Sequence, residues 1–244
     1  NAIRVFNEVL KPMGITKCGI RLDSGDIAYF SKKARKMLDD AGLTECKIVA
    51  SNSLDEDIIL ALIRQGAAVD SFGVGERMIT SKSTPVFGGV YKLCARETAD
   101  GTIIPKIKIS ENVGKITTPH YKKVYRLYGR ESGKAEADLL CLYDEVVDDR
   151  QPYELFDPEH TWKRKLLTDF VAKPLHVQVF KDGKQVYELP SLEEVRAHCA
   201  RDIESMWVEV RRFSNPHNYY VDLSQKLWDI KQKMLKAKGS YIEE

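Results

Sequence analysis

Residues 1–88 alternate three short apolar runs with longer stretches of helical periodicity. The apolar runs lie at 18–22, 47–50 and 69–72, and each has the length and flanking turn residues of a buried strand. Each of the two intervals between these runs is long enough for one helix. This rhythm predicts consecutive βα units, in either a barrel or a doubly wound parallel sheet.

Two amphipathic stretches separate these strands. The first covers 27–41 and is followed by Gly42, where a glycine commonly ends a helix. The second begins with Ser53-x-x-Glu56, a pattern typical of a capping box, and ends before Gly66. We therefore predict two helices, each returning the chain to the start of the next strand.

The pattern changes over 89–143, where strand-like segments follow one another without an intervening helix. This arrangement predicts an antiparallel β segment, because antiparallel strands need only short connections. Its predicted strands cover 90–96, 106–109, 123–128 and 139–142.

The remaining residues, 144–244, combine three kinds of structure. We predict a long irregular excursion over 144–169 and a β-hairpin around the turn 181–184. Two C-terminal helices follow, one capped by Ser191 and one over 223–235. The predicted fold class is α/β, with βα units first and sheet and helices after them.

Composition excludes several classes of protein. The chain has 244 residues, with 38 basic and 36 acidic side chains, so it lacks the concentrated positive charge of a nucleic-acid binder. No apolar run reaches the length of a membrane span, and no signal peptide is visible. Five cysteines without C-x-x-C spacing argue against a disulfide framework or zinc site and predict a reduced, cytoplasmic setting.

Charged residues at the end of the first strand are the leading candidates for chemistry. Arg21 and Asp23 are two positions apart, so their side chains share one face of the strand. Arg21 could bind a carboxylate or phosphate with its planar fork. Asp23 could hold sugar hydroxyls or a group bound to Mg²⁺. The alternative is an internal Arg21–Asp23 salt bridge without a catalytic role.

Small polar residues and glycines follow the next two strands. Ser51 and Asn52 stand where the second strand ends, and the turn Gly73-Val74-Gly75 follows the third. Turns of this kind expose backbone N–H groups, which bind phosphate well. Because the ends of parallel strands meet at one edge, a phosphorylated sugar is the ligand that such an edge would suit.

These motifs, in this order, resemble bacterial members of the nicotinate phosphoribosyltransferase family. The resemblance extends over essentially the whole chain and corresponds to the C-terminal half of that family. The matching segments are residues 21–26, 50–52, 72–75, 87–93, 115–119, 124–126, 187–194 and 215–224.

The resemblance implies a fold and a reaction. The implied fold is part of an irregular type II phosphoribosyltransferase α/β barrel, with a sheet-rich domain that packs against a neighbouring subunit in a homodimer. The implied reaction joins nicotinate to phosphoribosyl pyrophosphate, with Mg²⁺ and coupling to ATP hydrolysis through a phosphorylated histidine, in NAD biosynthesis. By resemblance, Arg21 binds the nicotinate carboxylate and Asp23 is the catalytic aspartate near the ribose. Ser51 and Asn52 approach the ribose and its phosphate, and the turn 73–75 binds phosphate.

Two departures from the family pattern stand out. Glu76 occupies a position where threonine is usual, so its carboxylate must turn away from a phosphate or pair, for example with Arg77. The chain is also about half the expected length and begins at Asn1 within an amphipathic stretch, so we expect a piece of a longer protein. Two alternatives remain at this point: the sister activity on nicotinamide, and a non-catalytic truncated homologue.

Overall fold

The computed structural model describes residues 1–86 and 88–239. Phe87, the first residue of the motif 87–93, lies outside the described residues. The chain forms two compact units, Asn1–Val90 and Tyr91–Glu244. The segments predicted separately as 89–143 and 144–244 thus share one unit.

The first unit is built on a three-stranded parallel sheet in the order β1-β2-β3. Strands β1 (Gly19–Leu22) and β2 (Lys47–Ala50) lie where the apolar runs predict them, and β3 (Ser71–Phe72) is shorter than predicted. Leu22 stands opposite Ala50, which stands opposite Phe72. The ends of all three strands therefore meet at one edge.

Helix α1 (Ala2–Val5) continues as a turn of π-helix over Phe6–Leu10, and the two longer helices of this unit connect the strands. Helix α2 (Ile27–Asp40) begins at Asp26, whose side chain accepts a hydrogen bond from the Tyr29 N–H at 2.9 Å. Helix α3 covers Glu56–Arg64. Both βα connections confirm the predicted rhythm.

The predicted capping box at the start of α3 is wrong. The helix is capped by Asp55, which has extended backbone geometry and accepts the Ile58 N–H at 2.9 Å. Ser53 has a left-handed backbone with φ of 51° and lies in the preceding turn. A carboxylate one residue before the helix is better placed to cap it than a hydroxyl three residues before it.

One face of the parallel sheet is covered by helices and the other carries polar residues. Ile48 and Ala50 are completely buried on the helix side. Arg21 and Ser71 lie on the opposite face with Val49 between them, and both are exposed. The helix-covered face of the sheet therefore forms the apolar core of the unit, and the opposite face exposes polar groups.

The second unit is built on a four-stranded sheet in the order β10-β6-β7-β13. The first three of these strands are antiparallel, while β13 is parallel to β7. Alternate side chains of the central strands form the core, with Leu127, Leu139 and Phe170 completely buried. The strands cover Lys122–Gly129 (β6), Ala135–Leu142 (β7), Phe170–Pro174 (β10) and Val221–Leu223 (β13).

This sheet explains why residues on both sides of position 143 form one unit. Strands β10 and β13 both come after that position, and they hydrogen-bond to β6 and β7. The predicted strand 123–128 is confirmed within β6. The predicted strand 139–142 is the second half of the longer β7.

Two predicted strands of the β segment are displaced. The observed pair is β4 (Ala95–Glu97) with β5 (Ile103–Pro105), so the prediction of a strand at 106–109 is wrong. The N–H of Lys108 donates to the Thr117 hydroxyl at 2.9 Å instead of joining a ladder. Residues 106–107 are half-buried while residues 108–109 are exposed, so the alternation of residue types does not correspond to two faces of a strand.

The prediction of an irregular excursion over 144–169 is also wrong. Strands β8 (Tyr153–Phe156) and β9 (Arg164–Leu167) pair antiparallel within it. Leu155 and Leu167 are buried in the core of the unit. Polar residues next to Leu155 and Leu167 obscure the apolar pattern that would predict a strand. Packing on the larger sheet is what stabilises these short strands.

The C-terminal elements agree with their local signals. The hairpin β11 (Phe180–Lys181) and β12 (Lys184–Gln185) turns at the expected residues, and α5 (Leu192–Ser205) begins with the predicted capping box. Helix α6 covers Gln225–Gly239. No helix in the described part of the chain is long and apolar enough to cross a membrane.

Candidate functional site

Arg21, Asp23 and Ser51 form one hydrogen-bonded group at the ends of β1 and β2. The Arg21 Nη2 atom lies 2.8 Å from the Asp23 carboxylate, and Nη1 donates to the Ser51 hydroxyl at 2.9 Å. The Ser51 N–H donates to the Leu22 carbonyl at 2.9 Å, which fixes the two strand ends side by side. Three predicted site residues are therefore brought together.

The Arg21–Asp23 ion pair is open to solvent. The Arg21 side chain is 64% exposed and that of Asp23 is 46% exposed. An exposed pair of this kind contributes about 0–1 kcal/mol to stability. A ligand carboxylate or phosphate could replace Asp23 on the guanidinium at little cost, so the pair leaves Arg21 available as an anion-binding group.

The turn after Asp23 depends on a glycine. Gly25 has a φ of 74°, and a Cβ atom there would lie 2.5 Å from the Phe30 ring. The close approach of the ring brings the start of α2 near the strand end. Asp26 caps that helix through its side chain. Asp23 does not cap a helix, so its carboxylate is the one available for a ligand.

Asn52 occupies the turn after β2 and stays apart from the hydrogen-bonded group. Its φ is 92°, in the left-handed region that asparagine enters more readily than most residues. It is exposed, and no hydrogen bond among the described residues joins its side chain to Arg21, Asp23 or Ser51. Its predicted contact with substrate remains a prediction.

The glycine turn 73–75 lies next to Ser51. A Cβ atom at Gly73 would lie 3.5 Å from the Ser51 Cβ atom, so the two strand ends are in close contact. The Gly73 N–H donates to the Ala50 carbonyl at 2.8 Å and continues the ladder. The turn's remaining amides, from Val74 onward, are therefore the ones that could face a phosphate.

Arg77 and Asp55 form an ion pair that the sequence pattern does not reveal. Arg77 belongs to the short helix α4 (Glu76–Ile79), and its Nη1 atom donates to the Asp55 carboxylate. Glu76 is exposed, and Arg77 pairs with Asp55 instead of with Glu76. That Glu76 turns away from a phosphate stays a prediction. The capping-box pattern at Ser53 led to the wrong cap residue, so Asp55 was not predicted. The one sequence signal for Asp55 is its position directly before the helix.

A second acidic residue anchors the opposite end of the sheet. The Asp70 carboxylate accepts the Ile48 N–H at 2.8 Å and pairs with the Lys47 ammonium at 2.9 Å. These contacts, the backbone hydrogen bond first, lower the pKa of Asp70 below its usual value. Asp70 thus holds β2 and β3 together at the end away from Arg21, and its role is structural.

Comparison with known proteins shows which proteins the chain is similar to. Residues 121–231 match the family model of the nicotinate phosphoribosyltransferase C-terminal domain. The whole chain is 44% identical to nicotinate phosphoribosyltransferase of Bacillus subtilis (strain 168) over 244 residues. The chain is therefore similar over its whole length to part of a nicotinate phosphoribosyltransferase, and residues 121–231 match that family's C-terminal domain.

Other relatives show how much of their own length the chain covers. It is 35% identical over 235 residues to the Dictyostelium discoideum nicotinate phosphoribosyltransferase, covering 90% of this chain and 39% of the relative. The Bacillus subtilis relative is covered to 49% of its length. The chain therefore spans about half or less of the relatives it matches.

A solved structure supports the same relationship. The crystal structure of human nicotinic acid phosphoribosyltransferase matches with a TM-score of 0.64 and 26% identity, over 89% of this chain and 40% of the human chain. The mixed α/β arrangement described above is therefore similar to part of that solved structure.

Proposed function

We propose that the protein containing this chain transfers phosphoribose from phosphoribosyl pyrophosphate to nicotinate. The bond from ribose C1 to the pyrophosphate oxygen breaks, a bond from C1 to the pyridine nitrogen forms, and the products are nicotinate mononucleotide and pyrophosphate. The observation that carries this proposal is 44% identity, over the entire chain, to nicotinate phosphoribosyltransferase of Bacillus subtilis. The group of Arg21, Asp23 and Ser51 supports it chemically.

Each residue of the group has a role suited to its chemistry. The planar Arg21 fork binds the nicotinate carboxylate through two hydrogen bonds. Asp23 is the catalytic carboxylate, because positive charge develops on the ribose as pyrophosphate leaves and a nearby carboxylate stabilises it. Ser51 and Asn52 donate to ribose hydroxyls or the 5′-phosphate.

The turn after β3 completes the proposed phosphate site. Gly73, Val74 and Gly75 allow the phosphate to approach the backbone closely, and the N–H groups beyond Gly73 face it. Glu76 lies at the end of this turn, and its exposed carboxylate leaves the backbone amide as the group that contacts the phosphate. Threonine at that position would add a hydroxyl donor.

Mg²⁺ is the metal proposed for this reaction. In the part of the chain that the structure describes, no group of three His, Cys, Asp or Glu side chains could hold a metal ion. One carboxylate does fit Mg²⁺, which is usually bound by one or two carboxylates together with substrate phosphates and water. Asp23 would hold it through water, and the metal would neutralise charge on the pyrophosphate.

Further features of the whole protein belong to the same proposal. The open polar face of β1–β3 supports a role as one wall of an α/β barrel interior, because barrel strands place alternate residues inward. Coupling to ATP hydrolysis, a homodimer, a cytoplasmic location and a place in NAD biosynthesis are proposed from the family resemblance. The division into βα units over 1–88, an antiparallel β segment over 89–143 and a segment with a hairpin and helices over 144–244 stays a prediction.

The test is a product assay on the full-length protein. Nicotinate or nicotinamide is supplied with phosphoribosyl pyrophosphate, with and without Mg²⁺ and ATP, and mononucleotide is measured by chromatography. We expect nicotinate mononucleotide, dependence on Mg²⁺, and a rate increase with ATP. Preference for nicotinamide would support the sister activity, and no product with either base would support a non-catalytic homologue.

A further inference from the structure

A cavity of about 290 Å³ lies within the second unit, between β7, β8, β9 and β13. Its apolar wall consists of Ala137, Leu155, Phe156 and Tyr220. This volume is at the lower end of the range for small-molecule sites, so it suits a small ligand. The reaction proposed above does not use it.

The basic side chains around this cavity are already paired. Each of these three basic side chains pairs with a carboxylate, so together they contribute no net positive charge at the cavity. The pairs are Lys165 with Glu136, Lys163 with Asp157 at 3.7 Å, and Arg164 with Glu154.

Asp157 is satisfied by other contacts as well. Its carboxylate accepts the N–H groups of Glu159 and His160 at 2.8 and 3.0 Å, and it contacts the His160 Nδ1 atom at 3.1 Å. These contacts lower the pKa of Asp157, against the opposing effect of burial. A cationic ligand would therefore gain little from this carboxylate.

Asp222 is the lining carboxylate that remains without a partner. Its side chain is in the middle of β13, opposite Leu139, and the residue is only 4% exposed. Among the described residues, no hydrogen bond or ion pair reaches its carboxylate. Burial and the negative charge of Asp157 raise the pKa of Asp222 to about 6. A buried, unpaired carboxylate is costly, and a positive charge beside it would relieve that cost.

We propose that this cavity binds a small organic cation with one positive charge, an alkylammonium with a short apolar body. The ammonium group pairs with Asp222, and the apolar body packs against Phe156 and Tyr220, which line the cavity. A metal ion is disfavoured, since the described residues offer no group of three metal-ligating side chains there. One unpaired charge matches one positive charge.

The experiment measures binding of three probes of equal length to the full-length protein. Butylammonium, butan-1-ol and butyrate are titrated by calorimetry and by saturation-transfer NMR, in phosphate buffer free of amines. We expect butylammonium to bind at least tenfold more tightly than the other two. Excess nicotinate should not displace it, which separates this site from the one proposed for catalysis.

Two variants locate the site. Asp222→Asn should weaken butylammonium binding at least tenfold, because it keeps the shape and removes the charge. Asp229→Asn is the matched control, since Asp229 is exposed on α6 and contacts Gln225. The control should bind like the unmodified protein.

A measurement on the unmodified protein covers the case in which Asp222→Asn fails to fold. Nuclear Overhauser contacts should join the butyl protons to the rings of Phe156 and Tyr220. The proposal is overturned by equal binding of butyrate or butan-1-ol, by unchanged affinity in a folded Asp222→Asn variant, by contacts to other rings only, or by no binding at millimolar concentration.

Discussion

Asp55 joins Arg77 to the start of helix α3. One oxygen of its carboxylate accepts the Ile58 N–H and caps the helix, while the other pairs with the Arg77 guanidinium. The side chains of Asp55 and Arg77 are only 16% and 29% exposed. This relationship ties the helix after β2 to the helix after β3, and so supports the glycine turn between β3 and α4.

Removing this carboxylate should destabilise the protein. We expect Asp55→Ala to lower the free energy of unfolding by about 2–4 kcal/mol, because both the cap and a half-buried ion pair are lost. Asp55→Asn should lose less, since asparagine still caps a helix. Urea denaturation checks both, with Ser53→Ala as the control. An equal loss in Ser53→Ala would restore Ser53 as the cap.

Arg21 should determine affinity for nicotinate more than for phosphoribosyl pyrophosphate. Loss of a charge-assisted two-point contact in Arg21→Ala should cost about 2–3 kcal/mol in kcat/KM for nicotinate. Arg21→Lys should restore little, because an ammonium lacks the planar fork. Steady-state kinetics on the full-length protein measure this, with the exposed Arg64→Ala as control. Unchanged kinetics for nicotinate in Arg21→Ala would remove Arg21 from the site.

Asp23 should matter for rate and little for folding. We expect Asp23→Asn to reduce kcat by roughly 10²-fold or more, because the neutral amide does not stabilise positive charge on the ribose. Its melting temperature should stay close to that of the unmodified protein, since an exposed ion pair adds little stability. Near-normal activity together with a lower melting temperature would instead make the Arg21–Asp23 pair purely structural.

Asp222 should make stability fall as pH rises. Its folded-state pKa of about 6 lies above the ordinary aspartate value of 3.8, so the folded protein holds this proton more tightly than the unfolded chain. The resulting destabilisation is absent below about pH 4 and complete above about pH 6. Between pH 4 and 7, Asp222→Asn should therefore gain about 2–3 kcal/mol relative to the unmodified protein. Urea denaturation at both pH values, without amines, measures the gain, and a constant difference would contradict it.

The 244-residue chain by itself should not form nicotinate mononucleotide. Within the described residues, β1 and β3 each pair only with β2, so both edges of this sheet carry unpaired backbone groups. We expect the isolated chain to associate through these edges and to be inactive. Light scattering and the product assay test the two parts separately: a stable monomer would contradict the first, and substantial turnover the second.

Local signals in the sequence determined the elements whose hydrogen bonds close within a few residues. Asp26 caps α2 and Ser191 caps α5 because a cap and its amide are three positions apart. The positions of β1 and β2 along the chain follow in the same way from compact apolar runs. The order of the motifs also indicated the family, and the two-residue spacing of Arg21 and Asp23 placed them on one face of a strand.

Only the tertiary structure decided which distant residues meet. Arg77 finds Asp55 rather than Glu76 because the strand ends bring α3 and α4 together. Strands β8 and β9 form because the larger sheet covers Leu155 and Leu167, which their own short sequences do not indicate. Asp222 is buried without a partner because β13 adds to β7 from about 80 positions away, and burial of this kind is a property of packing rather than of local pattern.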